Sequence, residues 1–115
     1  MDERGELFPF VNGTSCYTIG KNTDILTGCS KRQGIDMLLR TMGPYCIALD
    51  EITDDSDCQA LLNAGWCGVS LLATAHAGSK GDLFSRPVYR PLITSHIFDT
   101  VLLLQVDKTW KAERI

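Results

Sequence analysis

Two carboxylic acids stand side by side at Asp50 and Glu51, closing the apolar run Tyr45-Cys46-Ile47-Ala48-Leu49. A carboxylate pair delivered together suits a metal-assisted displacement. One group holds Mg²⁺ through water, and the other polarises the water that attacks. A second apolar run, Gly68 to Ala75, contains Thr74 and is followed by His76, so a hydroxyl and an imidazole are offered in the same way. The plain alternative is a pair of strands that end in solvated polar residues.

What must position these groups is a sheet edge. Five apolar residues between Gly43-Pro44 and the polar stretch Thr53-Asp54-Asp55-Ser56-Asp57 read as a strand buried on both faces, as in a parallel sheet. The run ending at His76 reads the same way. Between them Leu61, Leu62 and Ala64 mark one short helix that starts near a Ser56 cap and ends at Gly65. A right-handed crossover through that helix makes the two strands parallel neighbours. Asp50, Glu51, Thr74 and His76 then share the carboxyl-end edge, where open α/β sheets bind their ligands. A strand that delivers Asp-Glu to that edge is the arrangement of a Walker B strand.

Composition excludes several classes. The chain has 115 residues, 44% apolar and 22% charged, with a net charge of −3, which is ordinary for one soluble domain and gives no basic footprint for nucleic acid. No apolar run has the length of a membrane span, and no charged-then-apolar leader opens the chain, so a cytoplasmic address is the default expectation. Five cysteines without a Cys-x-x-Cys pair lack metal-ligand spacing. Cys46 and Cys58 read as small buried apolar residues.

Earlier in the chain, Asp2, Glu3 and Glu6 precede any core-forming segment, so the chain reads as though it starts partway into a domain. Residues 7–29 are punctuated by Gly13, Gly20 and Gly28 and read as a long loop, with short extended pieces near Cys16–Ile19. Ser30 and Gln33 form a capping box for a helix whose stripe is Ile35, Leu38, Leu39 and Met42, stopped by Gly43-Pro44. Arg40 lies on it, as a surface charge or a phosphate contact. Beyond Ser85, Phe98–Val106 reads as a last strand and residues 107–115 as a polar tail.

With these residues placed, the chain resembles the C-terminal part of the stage III sporulation protein AA family, additional-strand P-loop ATPases similar to the hexameric secretion ATPases. The matching stretches are Asp2-Glu3-Arg4 with Glu6, Gly20 with Thr23-Asp24, Lys31 with Gly34-Ile35, Arg40-Thr41-Met42, Asp50-Glu51-Ile52, Asn63-Ala64-Gly65 and Ala73-Thr74-Ala75-His76. They span nearly the whole chain, and as a set they are specific. The resemblance implies a Walker B pair at Asp50-Glu51, with Asp50 toward Mg²⁺. It implies an acidic box at Asp2, Glu3 and Glu6, a water-orienting role for Glu3 or Glu51, and a His-box histidine at His76 that senses the γ-phosphate or couples to a neighbouring subunit. Thr74 and Arg40 would face the nucleotide. The expected fold is an α/β parallel sheet flanked by helices, a truncated RecA-like P-loop core over residues 1–115.

One departure is large: no G-x-x-x-x-G-K-[ST] occurs. The family carries that loop upstream of the position matching Met1, so the chain is expected to be a fragment lacking the P-loop strand. Losing three charge-assisted bonds at roughly 1.5–3 kcal/mol each removes about 5–9 kcal/mol of phosphate binding. That is on the order of three to six decades of affinity. The resemblance implies ATP and Mg²⁺ as ligands of the intact protein, and a homo-oligomer, hexameric as in the secretion ATPases. It also implies membrane-embedded sporulation channel proteins as partners and a peripheral position at the membrane. Two other readings are a nucleotide-free assembly module and a carboxylate–His metal hydrolase built on Asp50, Glu51 and His76. Without the P-loop strand, the last strand is expected to be left loosely packed, and the residues after Ser85 to be the least secure part of the fold.

Overall fold

A computed structural model describes all 115 residues, Met1 to Ile115. The chain forms β1 (Phe10–Val11), β2 (Thr14–Ser15), α1 (Lys31–Thr41), β3 (Cys46–Glu51), α2 (Asp55–Trp66) and β4 (Ser70–Thr74). A short α3 (Lys80–Ser85), a 3₁₀ turn at Pro87–Tyr89 and α4 (Arg90–Thr94) come next, and then β5 (Thr100–Leu104) and β6 (Trp110–Arg114). The strands pair as β1 with β2, β3 with β4, and β5 with β6, in three two-stranded sheets.

Local chemistry explains the boundaries. Ser30 caps α1, taking the Gln33 N–H at 3.3 Å and donating its hydroxyl to the Gln33 side chain, and Gly43 lies just past the helix with φ +54. For α2 the cap is Asp54 rather than Ser56: its carboxylate accepts the Asp57 N–H at 2.9 Å. Two further carboxylates in the first turn, Asp55 and Asp57, favour the positive end of the helix dipole. Gly65 does not end α2. It lies inside the helix because Ile97 packs onto it, where a Cβ would stand 2.7 Å from the Ile97 Cγ2. The helix ends at Trp66, and Gly68, two residues on, has φ +82.

β3 and β4 are parallel and joined through α2, as the two apolar runs require. Helices cover only one face of them. Ile47 and Leu49 are buried, with Ile35, Leu61, Ala64 and Leu92 in the same core, whereas Cys46, Ala48 and Leu72 are exposed. The expectation of strands buried on both faces, and of a buried Cys46, is therefore corrected: nothing packs on the second face. Cys58 is buried and donates its thiol to the Val88 carbonyl at 3.1 Å; burial and the acids around it push its pKa up to about 11.

Two more corrections concern the ends. The extended pieces of the long loop lie at residues 10–15, where Asn12 and Gly13, both with positive φ, make a hairpin turn. Residues 107–115 are not a tail. Within them Trp110–Arg114 form β6, which zips antiparallel onto β5 from Leu104↔Trp110 to Thr100↔Arg114. Tyr89 and Leu92, both beyond Ser85, are buried in the core.

β5 does not pair with β4. A slot of about 250 Å³, lined by Ser70, Leu71, Ile97, Phe98, Asp99 and Thr100, separates the two small sheets. The hairpin's apolar residues Leu102, Leu104 and Trp110 are exposed. A lone two-stranded hairpin is marginal in water. Amide exchange should therefore be at least tenfold faster at Leu102 and Leu104 than at Ile47 and Leu49. Equal protection would mean that the hairpin is anchored as firmly as the parallel pair.

Candidate functional site

The β3–β4 ladder runs in register from Cys46↔Ser70 to Leu49↔Ala73 and then slips by one residue, so that Glu51 faces Thr74 and Asp50 has no partner in β4. The slip breaks the alternation of the strand, and Leu49 and Asp50 are both buried in succession. Glu51 lies toward the surface instead, with its Oε2 3.4 Å from the His76 Nε2. Three of the four residues expected at the edge come together there. Glu51, Thr74 and His76 meet at the carboxyl end of two parallel strands, and Asp50 lies one residue away on the inner side. His76 is 84% exposed, and Thr74 is exposed as well. Below them Tyr89 donates its hydroxyl to the Ile52 carbonyl at 3.3 Å, fixing the end of the strand.

Asp50 faces a lysine. Lys31, the first residue of α1, is 4% exposed, and its Nζ lies 2.9 Å from Glu3 Oε2, 3.2 Å from Asp57 Oδ2 and 3.6 Å from Asp50 Oδ1. Burial alone would lower the Lys31 pKa, but the bonds to Glu3 and Asp57 and the charge of Asp50 carry it above its ordinary value. Asp57 is fully used, since it also accepts the Thr53 N–H and hydroxyl at 3.0 and 2.9 Å. Asp50 is not: both of its oxygens are buried without a hydrogen-bond donor.

Glu3 reaches this cluster because the N-terminal segment lies along β3. The Met1 nitrogen donates to the Ala48 carbonyl at 2.6 Å, and Asp2 bridges to Thr27. Of the three acids expected to form an acidic box, only Glu3 contacts the Lys31 cluster. Glu6 pairs with Arg4 at the surface. Asp2 is buried and serves the backbone, accepting the N–H groups of Glu6, Leu7 and Phe8 at 2.9 to 3.1 Å. Burial would raise the Asp2 carboxyl, yet these donors hold it below the usual range. Arg40 is exposed on the last turn of α1, nine residues or about 14 Å along the helix from Lys31, and does not join the edge. It lines a shallow depression with Gln33, Asp36 and Met37.

Sequence reasoning misses Lys31 and Asp57 as site residues. The available signal is a lysine at the first position of a helix, where a positive charge opposes the dipole and needs a local reason. No group of three or more His, Cys, Asp or Glu side chains is arranged to hold a metal ion. The donor set therefore fits Mg²⁺ only in its usual phosphate-assisted form, with one carboxylate, Asp50, and the remaining positions left to water and substrate oxygens. Asp50 is the carboxylate of this cluster whose two buried oxygens accept no hydrogen bond.

Fold and edge together define an α/β domain that gathers carboxylates, a lysine and a histidine at the carboxyl end of a parallel strand pair. The family described as "Sporulation stage III, protein AA" matches residues 1–113, and the chain belongs to that family. It is 36% identical over 108 residues to the stage III sporulation protein AA of Bacillus subtilis (strain 168), covering 94% of this chain and 35% of that protein. The chain thus spans about a third of the length of this curated relative. No solved structure matches it.

The Asp2 cap yields a pH signature. Its carboxyl is depressed in the folded chain, so its contribution is complete above the unfolded value near 3.8 and is lost as pH falls through the lower folded value. Replacing Asp2 by Asn leaves buried N–H groups short of acceptors and should cost about 1–3 kcal/mol at pH 7. Urea unfolding of both chains between pH 3 and 7 should show that gap narrowing only at the acid end. A gap independent of pH would show that the Asp2 charge is not what holds the loop.

Proposed function

We propose that the chain is the Walker B-bearing part of a Mg²⁺-dependent ATPase of the sporulation programme, working at the membrane from the cytoplasmic side. The observation that carries this reading is the edge itself: a parallel strand pair whose carboxyl ends bring Glu51, Thr74 and His76 together, with Glu51 and His76 3.4 Å apart and Asp50 next in the chain, turned inward to Lys31. Bound Mg²⁺ would neutralise phosphate charge at this edge. Asp50 would hold it through water with its two unused oxygens. Glu51, half-exposed and 3.4 Å from His76, would orient the attacking water. His76, at the surface, would report the state of the γ-phosphate to an adjoining subunit. Glu3 reaches the same cluster through Lys31 and offers a second carboxylate for the water.

Two features support a larger whole. About 250 Å³ is open between β4 and β5, and on this reading a central phosphate-loop strand would pair with β4 there. The second face of β3 and β4 carries Cys46, Ala48 and Leu72 in the open, whereas parallel sheets are normally covered on both faces. ATP, a hexameric homo-oligomer and membrane-embedded channel proteins are the partners this reading implies, with no nucleic acid. No helix of the chain is long and apolar enough to cross a membrane. A hydrolase that works with metal alone fits less well, because Asp50 turns toward Lys31 while Glu51 turns toward His76.

The 115-residue chain should show no ATP hydrolysis above background, because the carboxylates are present without a phosphate cradle. In a longer protein that includes a phosphate-binding loop, Glu51→Gln should abolish turnover, by about 10²-fold or more, while nucleotide binding is retained. Loss of binding instead of turnover would assign Glu51 to the wrong step. Robust turnover by the 115-residue chain would overturn the half-site reading.

A further inference from the structure

The Lys31 cluster holds more negative charge than it needs for its own structure. One ammonium lies among three carboxylates, and the most buried of these, Asp50, has neither oxygen satisfied. The lysine's two short contacts go to Glu3 and Asp57, at 2.9 and 3.2 Å. At 3.6 Å from Asp50 it supplies charge without a well-formed hydrogen bond. Its stem enters from the first residue of α1, so a single side chain ties the N-terminal segment, β3 and α2 to one point.

We propose that Lys31 is a positioning residue for the metal-facing edge. It is the resident counter-charge that gathers Glu3, Asp50 and Asp57 and keeps the affinity of Asp50 for a bare divalent cation low. The inference rests on the reading of Asp50 as the metal-facing carboxylate. Its physical basis is electrostatic: a fixed ammonium a few ångströms from a carboxylate opposes any second cation at the same oxygens, more strongly where water is excluded. An edge balanced in this way accepts a divalent cation when phosphate oxygens arrive with it and complete its shell, and holds it poorly otherwise. The lysine also keeps Glu3 against the edge, although Glu3 comes from a segment 28 residues away in sequence.

The test is a Mn²⁺ titration of the 115-residue chain without nucleotide, followed by paramagnetic broadening of the Leu49, Glu51 and Thr74 amide resonances. Lys31→Met should raise Mn²⁺ affinity at least tenfold, and adding Asp50→Asn should remove the gain. Lys31→Arg, which keeps the charge, should stay near the wild type. A folded Lys31→Met chain with unchanged affinity overturns the proposal, while weaker binding in Asp50→Asn alone would leave the metal-facing reading of Asp50 intact. A gain in Lys31→Arg as large as in Lys31→Met also overturns it, because fit rather than charge would then be at work. A gain that survives Asp50→Asn overturns both, because the cation would be bound elsewhere. If Lys31→Met does not fold, Lys31→Met with Glu3→Gln carries the same comparison, and affinity no higher than in Glu3→Gln alone sinks the idea.

Discussion

The one-residue slip between Leu49 and Glu51 governs the arrangement of this molecule's polar groups. In a regular strand, neighbouring side chains point to opposite faces. Leu49 would then face the core, Asp50 the uncovered side and Glu51 the core again. The extra residue breaks that alternation where a hydrophobic strand becomes a polar edge. Asp50 turns inward to Lys31, Glu51 comes out beside His76, and Ile52 returns to the core, with its N–H bonded to the Thr74 carbonyl at 2.9 Å. A bulge of this kind re-aims side chains without a change in topology.

Burying an ionised carboxylate is costly unless charge is returned to it. The fold returns it from α1. That explains the unusual lysine at the start of a helix and the approach of the N-terminal segment, whose Met1 side chain occupies the space a Cβ on Gly34 would need. The helix, the strand and the loop are therefore not independent pieces that happen to touch. Each presents a group that is badly solvated on its own, and they satisfy one another. Breaking such an arrangement from one side leaves uncompensated charge, which is why buried clusters of this kind resist piecemeal change.

Features set by local pattern are legible in the sequence. The α1 capping box, the Gly43-Pro44 stop and the parallel pairing of two apolar runs all have short-range or crossover signals, and the structure has them. The pairing brings Glu51, Thr74 and His76 to one end of the sheet, while the slip that turns Glu51 outward has no short-range signal. Features that depend on partners far away in sequence are not legible. Apolar residues such as Cys46 and Leu72 look core-forming in a strand, but burial needs a second layer, and none is present over that face. Residues 107–115 look polar because β6 lies at the surface, where alternation is weak. Lys31 looks like part of a cap, since nothing nearby shows that Glu3 and Asp57 will converge on it.

Gly65 has a mechanical consequence. At this position α2 and Ile97 meet with no clearance, and Ile97 begins the stretch that leads into β5. The hairpin beyond it extends for five residues per strand, about 17 Å, and is not hydrogen-bonded to the parallel pair. A long arm held at a tight joint behaves as a lever. A shift at Gly65 moves the far end of the hairpin further than it moves the joint. The joint between α2 and the segment that leads into β5 is thus a residue with no side chain, and Ile97, which packs on it, also lines the slot beside β4.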